Sequence, residues 1–150
     1  MEMSLKDMEN AMEISPLPSK ADEISGLLQK AERKLIDAGI RGLSSESRLE
    51  HTYTAILTCA TIFLRATGYR VTDISRHHYV TIKTLQFTGK LPKQKVNYFQ
   101  QIREKRHADI YAPLTNITDT ELKEALRAAD ALLRQTRKWL KENHPELLIS

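Results

Sequence analysis

The stretch Arg103-Glu104-Lys105-Arg106-His107-Ala108-Asp109-Ile110-Tyr111 concentrates more chemistry than any other part of this 150-residue chain. On a helix, Arg103, His107 and Tyr111 stand at i, i+4 and i+8 and share one stripe, with Arg106 on its flank. Arginine presents a rigid fork of N–H donors that matches phosphate oxygens. His107 can take or give a proton near neutral pH. Tyr111 adds a phenol and a stacking face. Such a set can hold an RNA backbone or a nucleotide phosphate and act at a 2′-hydroxyl. A plainer role competes with this one. Cations toward a helix C-terminus gain about 0.3–1 kcal/mol from the macrodipole, and Glu104 and Asp109 offer local ion pairs. Residue physics by itself favours that structural role.

Other chemistry is sparse. The chain has no Gly-rich phosphate loop and no CxxC, HExxH or EF-hand pattern, so no metal or cofactor is expected. His77 and His78 are adjacent and would point about 100° apart on a helix, too far to chelate one ion by themselves. With His51 and His144 they read as partly exposed structural histidines. Nothing marks a Ser-His-Asp triad. Cys59 is the only cysteine. It cannot form an intramolecular disulfide and reads as a small buried hydrophobe in a cytoplasmic protein. No secretory signal opens the chain, and no apolar run approaches the ~20 residues of a membrane span.

Charge is distributed unevenly. Residues 1–50 hold 7 Lys/Arg against 10 Asp/Glu, residues 51–111 hold 10 against 3, and residues 112–150 hold 6 against 6. The net charge of +4 is therefore a basic middle segment of +7 behind an acidic leader of −3. A basic segment of this kind suits an anionic partner, although solvated cationic faces are the commoner cause.

The elements that must position these residues are helical. The 41% hydrophobic and 28% charged composition, with five Gly and five Pro, suits one globular domain of long elements. Residues 1–18, ending in Pro16 and Pro18, read as a flexible or weakly helical tail, with Met1, Leu5, Met8 and Met12 at helical spacing. Residues 19–150 read as one bundle. A first long helix is expected from Ser19 to Ala38, with Ile24, Leu27, Leu28, Ala31 and Leu35 as its apolar stripe and Gly39 at its C-cap. A second starts in Ser44-Ser45-Glu46-Ser47 and runs to Thr67. It is apolar nearly all round between Ala55 and Ala66, as befits a central helix. Residues 69–75 read as a connection. Ser75 is expected to cap a shorter helix from Arg76 to Phe87, despite the strand-like Tyr79 to Leu85. A further helix, Gln94 to Tyr111, is bounded by Pro92 and Pro113. Thr118 and Glu121 form a capping box for the last, Leu122 to Asn143. The fold class expected is all-α, an up-and-down bundle of four to five helices.

A resemblance enters on particular residues. Ser44 to Tyr53, with Ala55, Ala60 and Ala66-Thr67-Gly68-Tyr69-Arg70, looks like the second helix of bacterial HEPN-type domains. Arg106-His107-Ala108-Asp109-Ile110-Tyr111 looks like that superfamily's motif helix, and the likeness spans roughly residues 20–140. It implies a helical bundle, usually a homodimer. The family motif is an Arg, a polar residue, a spacer and a His. In ribonuclease members, two such motifs face each other across the dimer and work without metal. Here Arg106 matches the Arg and His107 the polar position, while Tyr111 takes the place of the catalytic His. A phenol with an ordinary pKa near 10 is a poor base at pH 7. An out-of-register alternative pairs Arg103 with His107, one spacer residue short.

Three functional expectations follow. The first is a HEPN-like homodimer that binds RNA or a nucleotide through Arg103, Arg106, His107 and Tyr111 without efficient nuclease activity. The second is a toxin-type, metal-independent ribonuclease with His107 and Arg106 as catalytic residues. The third is a protein–protein interaction module. The resemblance also implies a nucleotidyltransferase-type or antitoxin partner protein. No membrane role is expected.

Overall fold

The computed structural model describes residues 3–111 and 117–148, with residues 108–111 described as helix backbone only. The protein is mostly helical, and its helices pack on one another. The helices are α1 (Leu5–Asn10), α2 (Ala21–Ala38), α3 (Ser45–Ala66), α4 (His77–Lys83), α5 (Leu85–Thr88), α6 (Lys93–Tyr111) and α7 (Asp119–Asn143), with a closing 3₁₀ turn at Pro145–Leu148. Among the described residues, no helix is long and apolar enough to cross a membrane.

The long helices form where their periodicity places them. Ser44 caps α3 by accepting a hydrogen bond from the Ser47 backbone N–H. Thr118 and Glu121 close a reciprocal capping box at the start of α7. Ile24, Leu28 and Ala31 of α2 pack against Leu49, Tyr53, Ile56, Ala60 and Phe63 of α3 and Leu122, Ala125, Ala129 and Leu132 of α7. Helix α3 touches α2, α4, α5, α6 and α7. Its near-uniform apolar middle reflects that central position. Cys59 lies wholly buried there, and burial pushes its thiol up to about 12, so it remains protonated.

Two local expectations change. Arg76, not Ser75, stands at the N-cap of α4, without a side-chain cap bond. The Ser75 hydroxyl instead donates to Asp73 Oδ1 at 2.8 Å. The helix expected as one piece to Phe87 breaks at Thr84 into α4 and α5. There the Thr84 hydroxyl donates back to the Thr81 carbonyl at 2.6 Å.

The N-terminal segment is built into the fold. Ser4 and Asp7 form a capping box for α1. Residues Ile14–Pro16 form β1, which pairs antiparallel with β2 (Tyr69–Val71), Ile14 opposite Val71. The expected connection at 69–75 therefore contains a strand. Gly68, at φ 94°, makes the left-handed turn from α3 into β2. Met8 and Ile14 sit in a second apolar cluster with Leu64 and Val80. Arg65 locks this corner. Its guanidinium donates to Glu23 and to the carbonyls of Leu17, Pro18 and Tyr69.

Candidate functional site

Helix α4 buries Val80, Thr81 and Ile82, which leaves its first turn at the surface beside α6. Helix α6 buries Val96, Phe99 and Ile102, and the arginines that follow lie along the edge of that apolar face. The Gln100 amide donates to the Tyr79 carbonyl at 2.9 Å and ties the two helices together. Between them opens a cleft of about 540 Å³ lined by Ile74, Ser75, Arg76, His77, His78, Tyr79, Arg103, Arg106 and His107. Three arginines and three histidines thus share one concavity.

Each arginine is held in place. Arg103 Nε donates to Gln100 Oε1 at 2.8 Å. The guanidinium groups of Arg76 and Arg103 lie 4.6 and 5.5 Å from the centre of the Tyr79 ring. Arg106 reaches back to α3. Its Nε and Nη2 donate to the two oxygens of Glu50 at 2.6 and 3.0 Å, and its guanidinium sits 5.4 Å from the centre of the Tyr53 ring. The hydrogen bond from Arg106 holds the Glu50 carboxyl below the usual carboxylate range, against the opposing effect of partial burial.

Behind this layer, Tyr53 Oη and His78 Nδ1 are 3.0 Å apart. Tyr53 is almost fully buried, and burial pushes its phenol up to about 12. The proton therefore stays on the phenol, and His78 Nδ1 is the polar partner described for it. The two share a hydrogen bond whose donor is set by the His78 tautomer. Burial, followed by the charges of Arg106, His77 and Arg103, holds His78 below its ordinary 6.5, with Glu50 opposing. The neutral form of the ring is thereby favoured. The site can thus offer cations for anionic oxygens and an imidazole whose neutral form is favoured.

Arg103, Arg106 and His107 come together at this cleft. The separation of Arg106 from the Arg103–His107 stripe disappears here, because the concavity spans both sides of the helix edge. Tyr111 ends α6, and its side chain lies outside the described residues, as does the expected stop at Pro113. Sequence reasoning missed His78, Arg76, Tyr79, Tyr53 and Glu50. The adjacent histidine pair was visible, but only the α4–α6 packing separates their roles. His51 and His144 do not line the cleft. Instead, His144 follows α7 and has its Nδ1 3.4 Å from Glu146. Among the described residues, no cluster of His, Cys, Asp and Glu could hold a metal ion.

No family model, curated protein or solved structure matches this chain. The HEPN resemblance thus rests on the residues quoted for it.

Proposed function

We propose that the protein binds RNA through the cleft between α4 and α6, as a HEPN-like domain working as a homodimer. The observation that carries this reading is the convergence of Arg76, Arg103 and Arg106 with His77, His78 and His107 on one concave surface. Guanidinium groups there match phosphate oxygens, and arginine planes and Tyr79 suit unstacked bases. Filter binding of single-stranded RNA at low and moderate salt tests it. Affinity is expected to fall steeply as salt rises, because each phosphate contact releases condensed counterions. Absent or salt-insensitive binding sinks the proposal.

A second reading is a metal-independent ribonuclease, favoured by the three histidines at the same cleft. A cleavage assay in chelator, with wild type, His107→Ala and His78→Ala, separates the two readings. Binding without cleavage supports the first, and cleavage lost in either variant supports the second.

A further inference from the structure

We propose that the cleft continues into a second groove, and that the two together form a track for several consecutive nucleotides of single-stranded RNA. This inference rests on the RNA-binding reading above. The groove lies between the start of α1 and helices α5 and α6, has a volume of about 1,100 Å³, and shares Tyr79 and Arg103 with the first cleft. Alone it exceeds the roughly 300–1,000 Å³ typical of a pocket for one small molecule. Both concavities are bordered by Tyr79 and Arg103, and their joint volume suits a strand better than a mononucleotide.

The lining has the two components that sequence-tolerant strand binding requires. Cations come first. Lys6 and Lys83 are engaged by Glu9 at 3.5 Å and Glu13 at 3.4 Å. Lys90 and Lys93 are exposed and carry no ion pair among the described residues. These two lysines are the charges the groove leaves available to phosphates. Stacking surface comes second. Phe87 is half-buried in the groove wall, and the Tyr79 ring with its two arginines stands at the junction. Cations interleaved with aromatic faces recognise strands whose bases are free to stack, whereas an acidic peptide would use only the charge. Among the described residues, one carboxylate lines the groove, Glu104, which stands at the junction end with Arg103 3.8 Å away.

Fluorescence anisotropy with oligouridylates of two, four, eight and twelve nucleotides, on the full chain, tests the track. Affinity is expected to rise with length by at least roughly tenfold from the dinucleotide to the octamer, then level off once the track is filled. In Lys90→Glu/Lys93→Glu, dodecamer affinity should fall more than dinucleotide affinity. For the dodecamer, the slope of log affinity against log salt should become shallower by about 1.4, two single-strand phosphate contacts at about 0.7 each. Equal affinity for all lengths overturns the track while leaving the first cleft as a dinucleotide-sized site. No binding at any length sinks the RNA reading itself. Polyglutamate of matched charge competing as well as RNA assigns the groove to an acidic protein and overturns the proposal. An unaltered helical circular dichroism spectrum secures the variant comparison, since both lysines are exposed.

Discussion

Glu50 holds the Arg106 guanidinium by two hydrogen bonds, so each group sets the properties of the other. The carboxyl sits below its ordinary range, and its contribution is therefore present above about pH 4.5 and lost as pH falls through the lowered folded value. Glu50→Gln should cost about 1 kcal/mol in urea unfolding at pH 7. It should also raise RNA affinity by roughly twofold to fivefold at low salt, because the carboxylate paired with Arg106 loses its charge. Weaker binding would mean that Arg106 acts through its orientation rather than its charge. His78 makes a second prediction. Its folded value is depressed, so the unfolded chain binds this proton more readily. Its contribution to stability is full above about pH 6.5 and is lost as pH falls from there through the folded value. The urea midpoint of His78→Gln should therefore vary less than that of wild type just below pH 6.5. Parallel profiles would show that burial does not act on this ring.

Gly89 illustrates the scale of the element. Its place after α5 reads in the sequence as a helix stop, and its φ of −89° is one that any residue adopts. The constraint is spatial. An added Cβ would stand 2.6 Å from Phe63 Cε1 and 2.8 Å from Leu91 Cδ1. The ring belongs to the core of α3, which packs against Trp139 of α7 at a ring separation of 4.5 Å, so it has little room to yield. Gly89→Ala should therefore destabilise by about 1–3 kcal/mol through overpacking. A stabilised variant in thermal unfolding would show that the Phe63 ring can move. The same junction directs the chain from α5 into α6, and so sets where Lys90, Lys93 and Arg103 lie along the proposed track.

At the scale of the whole molecule, the acidic leader and the basic middle segment meet. Glu13, nearly buried, lies 3.4 Å from Lys83 and 3.7 Å from Arg76. Met8 and Ile14 are buried, and β1 completes the ribbon with β2. Removing residues 1–17 should cost about 3 kcal/mol or more, since burial of each large apolar side chain contributes about 1.5–3 kcal/mol. Thermal unfolding of the truncated chain would measure it, and an unchanged midpoint would make the leader dispensable. The sequence by itself determined the long helices, the Ser44 and Thr118 caps and the apolar stripes of α2, α3 and α7. A periodic stripe of Ile24, Leu28 and Ala31, or a Thr118–Glu121 box, is a local signal whose energetics need no distant partner. It also marked Arg103, Arg106 and His107 as the cationic end of α6. Tertiary structure alone decided the rest. The β1–β2 pairing joins residues more than fifty positions apart and leaves no periodic trace in strands of three residues. Glu50, which pairs with Arg106, lies fifty-six positions away on α3, and His78 meets a buried phenol on that same helix. Whether a basic helix end is a solvated surface or the wall of a cleft depends on what packs beside it, and here α4 supplies the other wall.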